Sequence, residues 1–407
     1  MPMMGKYDVC VVGGGAAGMT AAIAAAEKGC SVCIIDKNKK LGKKLYATGN
    51  GRCNLANADM VYNHFHSSSK KAGVFLEKCM GDEPNSQLFS FLHTIGIFEH
   101  CVDGYYYPRS MQASAVVWAF TDKLRTLPVE ICLGQTATRI QKQETCYKIF
   151  LGNDTIIASQ VILACGGRSY ASLGGCDCGY RIADILGIKQ EQQRPALCAV
   201  LTEEDTEEIK GVRVACSVEY EKEQEKYRQL GELQFTDYGL SGIMMFNLSS
   251  EIGDALDKGE SAVVYLDFLS AVEESDFLAG IELNRSVYGY LNAYIPDKLA
   301  LYILKACGQN PKQKLLEIQK SQAQKIYRRC RRFPFHIQAL KDFEQAQVTA
   351  GGICLEEVYP ETMECRKYPG LYATGEMLDI DGDCGGYNLT FAILTGLRAG
   401  RACHVKN

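Results

Sequence analysis

The chain has 407 residues, of which 47% are hydrophobic and 23% charged, and its net charge is −4. This balance excludes a disordered or fibrous protein, and the length accommodates about two to three domains. Without a basic excess the chain is not expected to hold nucleic acid or an anionic membrane. No apolar run approaches the ~18 residues of a membrane helix. Only residues 1–6 precede the first predicted strand, which leaves no room for a signal peptide, so a cytoplasmic location is expected.

Residues 8–12 form an apolar run without polar alternation, the pattern of a central parallel strand buried on both faces. It leads into Gly13-Gly14-Gly15-Ala16-Ala17-Gly18, which satisfies G-x-G-x-x-G. An alanine-rich segment up to Gly29 predicts a helix, and residues 31–36 predict a second strand ending on Asp36. In such a unit Gly13 permits the tight turn, Gly15 admits a pyrophosphate and Gly18 lets helix and strand pack closely. The free amides that open the helix, at Ala16 and Ala17, face the phosphates. Asp36, followed by Lys37, is placed to accept hydrogen bonds from an adenosine ribose. Strand, glycine turn, helix and acid together predict a dinucleotide site.

Glycines at 42, 49 and 51 make residues 39–54 a cationic loop carrying Lys44, Thr48, Gly49, Gly51, Arg52, Cys53 and Asn54. Such a loop suits phosphates or a ring system. His64 and His66 have no further ligands nearby in sequence and are expected at the surface. Residues 77–96 show one apolar face at helical spacing. Residues 104–110 are expected to form an aromatic loop with Tyr105, Tyr106 and Tyr107, ahead of a helix over 113–127. Arg109 at that junction is either an anion holder or a structural arginine. Strands follow near 129–132, 147–151 and 155–157. The run 160–164 stops at Ala164, before Gly166 and Gly167, where backbone passes close to a nucleotide.

From residue 194 the texture becomes short alternating runs, read as an inserted antiparallel β domain over 194–272 and interrupted near 231–236 and 238–242. Residues 273–328 return to helical spacing, with Leu301 and Leu316 among the apolar positions. The arginines at 328, 329, 331 and 332 are expected to form a solvated face. Residues 329–344 return a strand to the β domain. The first part of the dinucleotide domain is thus 1–193 and the second 345–407.

The final segment repeats the dinucleotide pattern. A strand near 370–374 ends at Gly375 and Glu376. Asp379, Asp381 and Asp383 lack the remaining ligands of a calcium loop. Gly385, Gly386, Tyr387 and Asn388 open a helix to about 402, whose N-terminal dipole suits the ring end of a flavin. The nineteen cysteines are irregularly spaced, which argues against a disulfide framework and for buried filler. No metal site is expected.

These motifs resemble the bacterial flavoproteins called HI0933-like or aminoacetone-oxidase-like. The resemblance rests on VVGGGAAG from Val11, GKKLYATGNGRCNL from Gly42, GYYYPRS from Gly104 and ILACGGRSY from Ile162. GELQFTDYGLSG from Gly231, AQVTAGGI from Ala346, TMECRKYPGLYATGEMLDIDGDCGGYN from Thr362 and LTGLRAG from Leu394 complete it. It implies an α/β protein: a Rossmann-like domain binding non-covalent FAD, split in sequence, with an inserted β-barrel that carries a small helical subdomain. The chain departs from the family pattern at 173–179, Asp237 and Ile243.

The expected function is an FAD-dependent oxidoreductase that reduces an activated carbon–carbon double bond. The substrate is expected to be a small enone or enoate, such as a steroid or bile acid. Hydride would pass from flavin N5, and NADH or NADPH would dock transiently as donor. Tyr387 and Tyr107 are candidate proton donors, Arg109 and Arg52 candidate carbonyl or anion holders. The rival expectations are a flavin amine oxidase and a non-catalytic or RNA-associated flavoprotein.

Overall fold

In the computed structural model, which describes residues 3–222 and 225–405, the first strand extends over Met3–Val12. It is longer than its apolar end because it pairs in parallel with Asp154–Leu163 along nearly its whole length. That second strand runs continuously through the two expected at 155–157 and 160–164. On the other side of the first strand lie Val32–Asp36 and then Val129–Leu133, both parallel. Leu371–Ala373 adds in parallel beyond Val161–Leu163, and Tyr147–Leu151 and Arg139–Lys142 extend the sheet antiparallel. Both crossings of the chain into this sheet therefore place strand C-termini along one edge, where parallel sheets bind ligands.

The chain divides into two compact units, residues 1–194 with 347–407, and residues 195–346. In the first unit the helix Ala16–Glu27 packs against the last helix, Tyr387–Ala402, through their smallest residues. A Cβ at Gly396 would lie 2.4 Å from the Ala17 carbonyl oxygen, and one at Gly400 2.3 Å from that of Ala21. The matched order of these contacts makes the helices parallel. It also sets the start of the last helix about eight residues, roughly 12 Å, beyond the start of the first.

The expected single helix over 77–96 is two, Ala72–Met80 and Pro84–Thr94. Gly81 leaves the helix at φ +74° and Pro84 opens the next at its first turn. The aromatic segment is a strand rather than a loop: Tyr105–Pro108 pairs with Glu99–Val102 and with Ala56–Asn57.

The second unit is a closed barrel in the order Val200–Thr202, Gly239–Ser241, Glu225–Phe235, Arg213–Lys222, Ala262–Asp267 and Phe333–Leu340. The two glycine-containing segments expected to interrupt the β domain lie in and beside its strands. The helices Asp297–Cys307 and Lys320–Arg331 enter between the last two strands and share one apolar core with the barrel. Of the apolar positions read at helical spacing, Leu301 and Leu316 are exposed. Arg328 and Arg332 of the arginine cluster are exposed, as expected of a solvated face, while three of the four arginines also make local contacts. Arg331 pairs with Asp267 at 3.0 Å, Arg329 lies over Phe333, and Arg332 pairs with Glu219 while stacking on Tyr265.

Candidate functional site

The glycine turn is built by close approach. Gly13 has φ +112°, and a Cβ there would lie 2.1 Å from the Ala164 carbonyl oxygen, so the turn joins the ends of two adjacent strands. Gly18 closes beneath it, with its Cβ position 1.8 Å from the Gly13 carbonyl oxygen. At Gly15 an added Cβ would meet nothing within 4 Å. The turn is therefore packed on its protein side and open on the side its helix amides face. Asp36 braces it: Oδ2 accepts the Gly14 N–H at 2.7 Å, and Oδ1 accepts the Asn38 N–H at 2.7 Å. Lys37 reaches away from this turn to donate to the Gly175 carbonyl at 2.8 Å.

The cationic loop contains a short 3-10 helix, Leu45–Gly51, broken at Thr48, Gly49 and Asn50. Thr48 Oγ1 donates to the Leu45 carbonyl, and its own carbonyl accepts the Cys53 N–H. Cys53 is buried, and burial pushes its thiol up to about 11, so it stays protonated. Gly51 and Arg52 are exposed, and the Tyr107 ring lies against Gly49. Burial raises the Tyr107 hydroxyl, while the nearby Arg52 charge opposes that shift. Among the described residues, Asn54 Oδ1 is buried with no hydrogen-bond partner.

Lys44 does not face solvent alone: its ammonium pairs with Glu376 at 3.0 Å. Glu376 also accepts the Thr349 N–H at 2.9 Å, and its carboxylate lies where a Cβ on Gly167 would stand. Thr349 Oγ1 in turn accepts the Arg168 and Ser169 N–H groups. Gly166, Gly167, Gly375 and Glu376, predicted separately, are thus brought together. Thr349 was not among the predicted site residues, although it lies within the AQVTAGGI motif.

At the last helix, Gly386 has φ +96°, and its Cβ position lies 2.6 Å from the Ala56 backbone. Gly385 accepts from Asn57 Nδ2 and borders Tyr105. Asn388 clamps the preceding loop, accepting the Gly382 N–H at 2.8 Å and donating to the Gly382 carbonyl at 2.6 Å. Tyr387 is buried, and its hydroxyl donates to the Asp59 carbonyl at 2.9 Å. Its proton is directed at a backbone carbonyl in this arrangement. Arg109 is exposed, and its backbone N–H bonds the Phe98 carbonyl.

The acidic run is buried. Asp379 accepts from the Ser67 hydroxyl and the Ser68 N–H, yet burial lifts its carboxyl to about 7. Asp381 pairs through its backbone with His66. Asp383 holds both His64 and His66, which are partly buried rather than free at the surface. The close spacings at 64/66 and 379/381/383 carry the signal for this cluster, although the strands that pair here, Phe65–His66 and Asp381–Gly382, are only two residues long. Among the described residues no group of histidines, cysteines and acids is arranged to hold a metal ion.

The open glycine turn, the second glycine-led helix start about 12 Å further along and the orphaned Asn54 oxygen fit a dinucleotide with an extended arm. FAD meets that description. Asp36 and residues 13–18 would take its adenosine and pyrophosphate half, and residues 48–54 and 385–388 its ring half.

The chain is 35% identical to a 3-dehydro-bile acid delta(4,6)-reductase of Clostridium scindens over 96% of its length and 98% of the relative's. It is 28% identical to a ribosomal RNA dihydrouridine synthase of Escherichia coli, over 96% of each chain. Among solved structures it superposes on a 3-ketosteroid-delta4-(5alpha)-dehydrogenase from Rhodococcus jostii with TM-score 0.51 at 12% identity, covering 99% of this chain and 98% of the other. At that identity the likeness is one of fold. No described helix is long and apolar enough to cross a membrane. The profile of the HI0933-like protein Rossmann domain matches residues 7–402, and the chain belongs to the HI0933-like family.

Proposed function

We propose that the chain is an FAD-dependent reductase of carbon–carbon double bonds conjugated to a carbonyl, with NADH or NADPH as electron source. The observation that carries the reading is the pair of glycine-led starts on two packed parallel helices, offset along their axes by about eight residues, roughly 12 Å. FAD held there would supply two-electron hydride chemistry. Around it, Lys44 and Glu376 neutralise one another and fix the Gly166–Gly167 and 375–376 segments. Tyr107 keeps its proton and stands beside the exposed Arg52, a pair suited to a substrate carbonyl or carboxylate. Tyr387 positions the last helix rather than donating.

The names of the relatives support this bond type. A delta(4,6)-reductase and a dihydrouridine synthase both saturate a carbon–carbon bond conjugated to a carbonyl, one in a steroid skeleton and one in a base. The E. coli relative favours a second reading, in which the bond lies in RNA. The −4 charge gives that reading no phosphate-binding surplus. Anaerobic mixing decides between them. Bleaching of bound flavin by NADH or NADPH, followed by reoxidation with an enone steroid or enoate, is the expected result. Reoxidation only by uridine-containing RNA would establish the second reading, and bleaching only by amines would replace both with an oxidase.

A further inference from the structure

A hydrogen-bonded row of side chains runs inward beside the start of the last helix. Asp59 meets His64 Nε2 at 3.2 Å, His64 Nδ1 meets Asp383 at 2.8 Å, and Asp383 meets His66 Nε2 at 3.0 Å. Side-chain exposure is 69% at Asp59, 31% at His64, 8% at Asp383 and 15% at His66. The row therefore starts in solvent and is most buried at Asp383, two residues before Gly385 at the start of the last helix.

Its neighbours hold it in place. The Asp383 N–H donates to the His64 carbonyl, and the Tyr387 ring stands 4.7 Å from the His64 ring. His66 lies opposite Asp381 in a short antiparallel pair, and the adjacent Ser67 donates to Asp379. The titratable groups facing the row are Tyr387 from the last helix, Tyr105 from the 105–108 strand, Cys384 beside Asp383, and Asp381 and Asp379. Burial and then the Asp383 charge push the Cys384 thiol up to about 12, and burial likewise raises Tyr387, so neither competes as an acid near neutrality. An imidazole takes a proton on one nitrogen and releases one from the other, and a carboxylate between two imidazoles exchanges protons with both.

We propose that Asp59, His64, Asp383 and His66 carry protons from solvent to the ring end of the dinucleotide site. The proposal rests on the reductase reading, because saturating a double bond consumes more than the donor provides. The dihydronicotinamide gives two electrons and one hydrogen and leaves as oxidised nicotinamide. That hydrogen reaches one carbon as hydride, the π pair takes a proton at the other, and the proton comes from water. No residue of the row touches the reacting atoms in this account; each acts by supplying the proton.

Asp383→Asn removes the charge with little change of shape, and His66→Gln removes a titrating ring while keeping a donor. In FAD-loaded enzyme, bleaching by the dihydronicotinamide is expected to stay within about twofold of wild type. Reoxidation by an enone is expected to slow by about 100-fold at pH 8, in the range for a lost proton donor, and to recover in part at pH 6. In the apoprotein, nitrogen-15 spectra are expected to show His64 Nδ1 and His66 Nε2 protonated in wild type and mixed tautomers in Asp383→Asn. Reoxidation profiles identical across pH in wild type and both variants, or imidazole spectra indifferent to Asp383→Asn, would overturn the proposal. Flavin that no enone reoxidises, with imidazole spectra that still respond, would overturn the reductase reading and with it the proton path, leaving only the hydrogen-bonded row.

Discussion

In the first unit, helices meet through glycine and alanine, and carboxyl groups such as Asp379, Asp381 and Asp383 are buried. In the second, Phe235, Phe333 and Phe335 fill the barrel with ring centroids 5.3–5.9 Å apart, and the carboxylates of Glu219, Glu221 and Asp237 form ion pairs nearer the surface. The difference follows from what each unit holds in place. A site made of backbone amides needs main chains to approach within a methyl group of one another, and only the smallest side chains allow that. An aromatic core tolerates volume-conserving exchange at less than about 1.5 kcal/mol. Substitution should therefore be punished by geometry in the first unit and by lost contact area in the second.

The sharpest break of that contrast is Gly13→Ala. The added methyl meets the Ala164 carbonyl and the backbone is held at φ +112°. Strain and overpacking together are expected to cost about 4 kcal/mol, and FAD affinity should fall by at least about 100-fold. Flavin fluorescence titration and thermal melting measure both, and near-wild-type values would mean that the turn relaxes freely.

Next comes the buried carboxyl. Burial raises the Asp379 carboxyl from its ordinary value of 3.8 to about 7 in the folded state. The folded state therefore binds more protons than the unfolded one between those pH values. This contribution to stability is fully present below about pH 4 and is lost as the pH rises toward 7. The loss is expected to reach roughly 2–4 kcal/mol, and Asp379→Asn should flatten it. Denaturant melts of wild type and variant from pH 4 to 8 test this, and parallel pH profiles would refute it. The surface carboxylates of the second unit should contribute no comparable slope.

Much of this organisation is legible in the chain itself, and the limits have physical causes. The parallel sheet is legible because its two central strands have apolar C-terminal ends that run into glycines, as at Val12–Gly13 and Leu163–Gly166. The split helix over 77–96 is less so, since Gly81 and Pro84 are punctuation that the apolar spacing overrides. The strand Tyr105–Pro108 carries three consecutive aromatics without alternation, and its pairing with Ala56–Asn57 is invisible until the chain is folded. The row through His64 and Asp383 joins residues 319 apart in sequence, so local spacing could suggest a face but not its partner. Motif residues meet in two places, Gly13 against Ala164 and Gly167 against Glu376. The hydroxyl of Tyr387 donates to the Asp59 carbonyl, a contact between residues 328 apart that local sequence could not suggest.

Asp36→Ala sharpens the comparison at a smaller scale. Its carboxylate accepts the Gly14 N–H on one oxygen and two donors of Asn38 on the other. Loss of these charge-assisted bonds, together with any to a ribose, should weaken FAD binding by about 10- to 100-fold. Turnover at saturating FAD should hardly change, because the residue sits at the adenosine end. An FAD titration of apoprotein followed by turnover at saturation separates the two effects; unchanged affinity would remove Asp36 from the site.

The smallest effect is expected at Arg332 in the second unit. Its guanidinium reaches Glu219 at 3.3 Å and Glu221 at 3.5 Å, and it lies 3.7 Å from the Tyr265 ring centroid. Three contacts on one side chain suggest a large contribution, but the side chain remains substantially exposed. Exposed ion pairs are worth about 0–1 kcal/mol because water screens them and ordering a long side chain costs entropy. The ring contact adds about 0.5–1 kcal/mol at such a site. Arg332→Ala should therefore cost about 1 kcal/mol, and Arg332→Lys, which keeps the charge but loses the planar stack, about half of that. Added salt should shrink the ionic part and leave the stacking part, since only the former is screened. Denaturant melts of the three proteins at low and high salt read this directly. A loss of several kcal/mol, insensitive to salt, would show that the second unit also depends on a fixed polar geometry, and the contrast between the two units would fail.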